Sequence, residues 1–87
     1  KGDTEGFVNY GLRIKEAELA AIFIENEEDK LIKISFRSQG LFPANKMAEE
    51  FKGGGHLNAA GGESYFSMKK TIDMIEEAIR NRKKYEQ

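Results

Sequence analysis

The stretch Phe51-Lys52-Gly53-Gly54-Gly55-His56-Leu57-Asn58-Ala59-Ala60-Gly61-Gly62 constrains this chain more than any other. It holds five of the nine glycines and the single histidine. Glycine loses more backbone freedom on folding than any other residue. A folded domain carries three in succession where the backbone must take positive φ, or where something must approach it closely. A run of exposed peptide N–H groups beside an imidazole suits an anion, most simply a phosphate. A surface turn with an incidental histidine is the competing reading of the same spacing.

At 87 residues the chain is one small domain, burying roughly 60–65% of its unfolded surface. Charged residues make up 33% of it, yet the formal net charge is −1. That argues against a strongly basic nucleic-acid module and against a disordered tail. With no cysteine, neither a disulfide framework nor a thiolate metal site is available. No apolar run reaches membrane-span length and no signal-peptide pattern is present, so a cytoplasmic protein without a membrane partner is expected. The chain opens at Lys1-Gly2-Asp3-Thr4 without an initiator methionine, and a fragment of a longer protein is expected. Glu25, Glu27, Glu28 and Asp29 form an acidic block. Between Lys30 and Gly62, Lys30, Lys33, Arg37, Lys46 and Lys52 face only Glu49 and Glu50, which gives the middle third a local positive field.

The pattern implies an α/β domain: a small mixed β-sheet with a β-hairpin, packed against helices, with the C-terminal helix on the sheet. Asp3 or Thr4 can cap a short helix through about Ile14, with Phe7, Gly11 and Ile14 on one face; Gly11 weakens that reading and leaves an extended one open. Glu18 to Glu25 reads as a strand whose continuous apolar run suits cover on both faces. Leu31 to Ser38 is a second strand, with Ile32, Ile34 and Phe36 pointing one way and Lys33, Ser35 and Arg37 the other. The short connection makes the pair an antiparallel hairpin. Asn45 caps a short helix over about Lys46–Phe51, which the glycine stretch ends. A third strand runs from Gly62 to Phe66. Ser67 caps a last helix over about Met68–Tyr85, with Met68, Ile72, Ile75 and Ile79 as its core stripe and Glu76 pairing with Arg80.

No familiar catalytic set is present. The glycine stretch is not followed by Lys-Ser or Lys-Thr at Walker spacing. Asn58 stands where the dinucleotide fingerprint needs its last glycine. One histidine without cysteines or an aspartate cluster cannot close a metal site. A hydrolytic centre inside these residues alone is not expected.

Ile34-Ser35-Phe36-Arg37-Ser38, then Asn45, Ala48 and Phe51, then Gly53-Gly54-Gly55-His56-Leu57-Asn58-Ala59-Ala60-Gly61 closely resemble the DHH-associated domain. That domain is the C-terminal half of DHH-family phosphoesterases. The opening Asp3-Thr4-Glu5-Gly6-Phe7-Val8-Asn9-Tyr10 is similar to the entry into it in the bacterial oligoribonuclease (nano-RNase) and phosphoadenosine-phosphatase branch. The resemblance runs from Asp3 to about Tyr65; the final helix matches in position more than in sequence. It implies an absent N-terminal DHH domain binding two divalent metal ions, usually manganese, which activate water against a phosphoester. The substrates it implies are very short RNAs and 3′-phosphoadenosine 5′-phosphate. By the same resemblance Gly53, Gly54, Gly55 and His56 meet the substrate, Arg37 contacts phosphate, and Ser38 and Asn58 are weaker matches. Nothing in the resemblance makes any residue here catalytic or a metal ligand.

The expected partners are a nucleotide or short single-stranded RNA or DNA, the DHH domain of the same chain, and a second copy in a homodimer. Three other readings stay open. Hydrolysis of cyclic di-AMP is one. A stand-alone single-stranded nucleic-acid module is another. The third is the related domain at the end of alanyl-tRNA synthetases. Upstream sequence would separate them.

Overall fold

The structure, a computed structural model, describes residues 7–81. Five strands and two helices follow in the order β1 (Phe7–Ile14), β2 (Leu19–Asn26), β3 (Leu31–Ser38), α1 (Ala44–Glu49), β4 (Gly54–His56), β5 (Ala59–Ser64) and α2 (Met68–Arg80). The strands form one sheet in the order β1-β2-β3-β5-β4. All four pairings are antiparallel, so the sheet is α/β in class but purely antiparallel where a mixed one was expected.

Directly paired residues share a face, so the register sorts the side chains. Leu19, Ala21 and Phe23 of β2, Ile32, Ile34 and Phe36 of β3, and Ala60 of β5 lie on the core face. Met47, Ala48 and Phe51 from α1 and its end, and Ile75 and Ile79 from α2, complete that core. The Phe36 and Phe51 rings meet with centroids 6.0 Å apart. Both helices cover this one face. The apolar run of β2 therefore alternates: Ile22 and Ile24 stay 51% and 44% exposed, so cover on both faces does not hold. An antiparallel sheet tolerates one solvated face because hairpin connections, unlike helical crossovers, place nothing over it.

Three further expectations change. Phe7–Ile14 is a strand, not a helix; pairing with all of β2, from Phe7↔Asn26 to Ile14↔Leu19, overrides a spacing that fits either period. The Asp3 or Thr4 cap lies outside the described residues, as does the last helix beyond Asn81. The short helix starts at Ala44, with Pro43 at its N-cap and no side-chain cap. The Ala44 N–H donates to the Leu57 carbonyl at 2.7 Å, which fixes the helix start ahead of Asn45. The third strand is Ala59–Ser64, and Gly54–His56 pairs with it as a hairpin arm; Tyr65 and Phe66 fall beyond it and are exposed.

The Ser67 cap forms as expected, its side chain accepting from the Lys70 N–H at 3.1 Å. The ion pair on α2 is Lys69–Asp73 at 3.3 Å, rather than Glu76–Arg80. Thr71, fully buried, ties α2 to the sheet. The Phe66 N–H donates to Ser64 Oγ (3.1 Å), Ser64 Oγ and Thr71 Oγ1 lie 2.7 Å apart, and Thr71 Oγ1 donates to the Ser67 carbonyl (2.8 Å). One chain of donors thus satisfies both buried hydroxyls.

Two substitutions test this packing in urea unfolding. Ile75→Ala is expected to lose about 2–5 kcal/mol of stability. Thr71→Val should cost about 1–3 kcal/mol by leaving the Ser64 hydroxyl without its partner. A loss within about 0.5 kcal/mol for either, the scale of surface changes, would detach α2 from the core.

Candidate functional site

The helix-free face of the sheet carries the candidate side chains Arg37 and His56. Arg37 of β3 pairs with Ala20 of β2 and with Ala59 of β5. Ala20 pairs with Arg13 of β1, and Ala59 with His56 of β4. Arg13, Ala20, Arg37, Ala59 and His56 therefore form one row across all five strands. Arg13, Arg37 and His56 are all exposed, and the residues between them are alanines, too short to obstruct a ligand. The register thus brings Arg37 and His56 to one face, as their assignment to one site requires.

Sequence reasoning missed Arg13. A helical reading of residues 7–14 gives no reason to align it with Arg37, whereas alternation from Asn9 through Gly11 to Arg13 would have done so. Lys15 follows in a short 3-10 turn over Lys15–Ala17. Arg13, Lys15 and Arg37 line an open cleft of about 560 Å³ together with Glu18, Ala20, Gln39 and Asn58. Glu18 is the sole carboxylate in that lining. Among the described residues none of the three cations is in an ion pair. Arg37 donates from Nη1 to the Phe36 carbonyl at 3.0 Å, which steadies the guanidinium and leaves its other N–H groups for a ligand.

Ser38 and Asn58 hold the wall of this cleft. Ser38 Oγ, on the core side, donates to the Phe42 carbonyl at 2.7 Å and accepts from Asn58 Nδ2 at 3.0 Å. Asn58 Nδ2 also donates to the Gly40 carbonyl at 3.2 Å, and the Ser38 N–H donates to the Asn58 carbonyl at 3.0 Å. These bonds lock the loop after β3 onto the β4–β5 turn. They steady the strand ends that carry Arg37 and His56, with Ser38 and Asn58 both in the cleft lining.

The glycines divide by steric need. A Cβ on Gly53 would stand 1.8 Å from the Gly61 carbonyl oxygen, and one on Gly55 (φ +151°) 2.6 Å from Ala60 Cα. The left-handed residue ending the helix is Lys52 (φ 61°), not a glycine, and the Gly53 N–H closes the turn on the Ala48 carbonyl at 2.9 Å. Gly54 is different. A Cβ there meets nothing within 4 Å, and its pairing with Gly61 places it on the helix-free face beside His56. The fold does not demand this glycine; a molecule lying on the face would. As the edge strand, β4 also turns half of its peptide groups away from the ladder.

Among the described residues no group of His, Cys, Asp or Glu could hold a metal ion, and no helix is long and apolar enough to cross a membrane.

The family described as "DHHA1 domain" matches residues 1–81. No curated protein matches the chain. A crystal structure of an exopolyphosphatase-related protein from Bacteroides fragilis is 42% identical over 83% of this chain, with a TM-score of 0.66. The match covers 21% of that protein, so this chain spans about a fifth of its length.

The glycine division is testable by thermal or urea unfolding. Gly53→Ala should destabilise by about 1–3 kcal/mol or more through overpacking against backbone. Gly54→Ala should stay within about 1 kcal/mol of the parent. Equal losses at both positions would contradict the division.

Proposed function

The chain belongs to the DHHA1 domain family, and on that premise we propose that it is the substrate-holding domain of a longer DHH-family phosphoesterase. We place it in the branch that hydrolyses very short RNA and 3′-phosphoadenosine 5′-phosphate. The observation that carries this reading is the row of Arg13, Arg37 and His56 on a sheet face that no helix covers. Two arginines and a histidine held on rigid strands, with a dispensable glycine beside them, suit a ligand whose anionic groups lie flat on the sheet.

In this reading the work is divided. A separate N-terminal DHH domain would hold two divalent metal ions, manganese, whose chemistry would be the activation of water. This chain binds, orients and neutralises. The Arg37 guanidinium offers a forked pair of donors to phosphate oxygens. His56 donates from a ring nitrogen to the same or a neighbouring phosphate. Gly54 lets the ligand approach the β4 backbone without a side chain in the way. Fixing the phosphate against fixed donors lowers the barrier by removing orientational freedom and by stabilising the charge that develops on its oxygens. A cytoplasmic location goes with this reading.

The test is kinetic and uses the full-length protein with short 5′-phosphorylated RNA, adenosine 3′,5′-bisphosphate and cyclic di-AMP. Arg37→Ala and His56→Ala should each lower kcat/KM by roughly 10- to 100-fold on the preferred substrate, about 1.5–3 kcal/mol, the scale of a charged hydrogen bond. Melting temperature and metal content should be unchanged. The 87-residue chain alone should hydrolyse none of them. Losses no larger than those of neutral surface variants would refute the assignment. Preferred turnover of cyclic di-AMP would move the protein to that branch.

A further inference from the structure

Beyond the Arg37–His56 site lies a second cationic group that no resemblance assigned. Arg13 stands two strands from Arg37 in the same row, and Lys15 extends it around the end of β1. With adjacent strands ~4.8 Å apart, the Arg13 and Arg37 backbones are about 10 Å apart, and those of Arg13 and His56 about 19 Å apart. Arg37 sits between the other two. The cleft shared by Arg13, Lys15 and Arg37 has a volume of about 560 Å³, within the roughly 300–1,000 Å³ typical of small-molecule sites and far beyond what one inorganic phosphate fills. Its floor between the arginines is Ala20, low and apolar, fit for a ribose or base edge.

We propose that Arg13, with Lys15, forms a second phosphate subsite, so that the domain selects ligands carrying two phosphate groups and holds them across the strands. The proposal rests on the reading of Arg37 and His56 as the first subsite. One phosphate lies at Arg37, His56 and Gly54; the second lies toward Arg13 and Lys15; the nucleoside between them rests over Ala20. Glu18, the carboxylate in the same lining, disfavours an anion that strays from the two cationic groups. Both a nucleoside bisphosphate and a 5′-phosphorylated dinucleotide carry the required pair of phosphates, and their different spans separate them experimentally.

The experiment is equilibrium binding by calorimetry to the metal-free full-length protein. The probes are adenosine 3′,5′-bisphosphate, 5′-phosphorylated diadenylate and adenosine 5′-monophosphate. Arg13→Ala should weaken at least one two-phosphate ligand by roughly 10- to 100-fold and leave the monophosphate within about twofold. The ligand that loses more is the one whose span fits. Arg13→Lys should recover part of the loss. The salt dependence of the affected ligand should also flatten by about one unit of slope, as for one lost phosphate contact. Arg13 is exposed, so its variants should melt with the parent.

Equal losses on all three ligands, or none on either two-phosphate ligand, would overturn the second subsite. Arg37→Ala separates the two claims. If it weakens all three ligands while Arg13→Ala weakens none, the second subsite fails and the first stands. If Arg37→Ala changes nothing, or no ligand binds the parent, the first reading fails and the second goes with it.

Discussion

The domain turns on a close approach of backbone to backbone where the chain leaves α1. Gly53 passes so near the Gly61 carbonyl that any Cβ would collide with it. Gly62 makes the matching concession from β5: a Cβ there would stand 2.9 Å from both Phe51 Cβ and the Phe51 carbonyl oxygen. These contacts let the chain fold back from the helix and enter β4 at the edge of β5. From that point the register is fixed, because shifting a strand by one residue moves every side chain to the other face. His56 then has to share a face with Arg37. The site geometry is thus a consequence of packing beneath it, and the glycines that look like part of a ligand cradle serve first to bring the strand into place.

The second constraint is that both helices lie on one side. Their apolar faces cover the core residues of β2, β3 and β5, and an antiparallel sheet can leave its other face wet. That open face is where rigid strands can present cations without burying them. Burial of unpaired arginines would carry a large desolvation penalty. On a solvated sheet face they keep their hydration and stay open to a ligand. Ser38 and Asn58 join the two halves of this arrangement, since their hydrogen bonds close the loop after β3 onto the turn after β4.

Legibility of the fold followed the strength of its patterns. The β2–β3 hairpin was plain because polar and apolar residues alternate along Leu31–Ser38 and a polar turn precedes it. The core stripe of α2 was plain from the spacing of Ile72, Ile75 and Ile79, although the buried Thr71 just before them carried no apolar signal. β1 was misread because Phe7, Val8, Gly11, Leu12 and Ile14 fit a helical face as well as a strand, and only the tertiary partner decides. β4 was invisible: three residues, two of them glycine, have no side-chain pattern to alternate. The site was half legible. Arg37 and His56 were reachable from residue chemistry and resemblance, while Arg13 depended on the correct period for β1. Ser38 and Asn58 came from resemblance alone, and their hydrogen bonds to the loop after β3 had no sequence signal.

The central claim is that the ligand lies on the helix-free face, across the strands. A crystal structure of the full-length protein with a non-hydrolysable 5′-phosphorylated dinucleotide tests it most directly. The account predicts phosphate oxygens within hydrogen-bond distance of the Arg37 guanidinium and the His56 ring, with Gly54 in van der Waals contact. A ligand seated on the helix side near Tyr65 and Phe66, with Arg37 and His56 untouched, would contradict it.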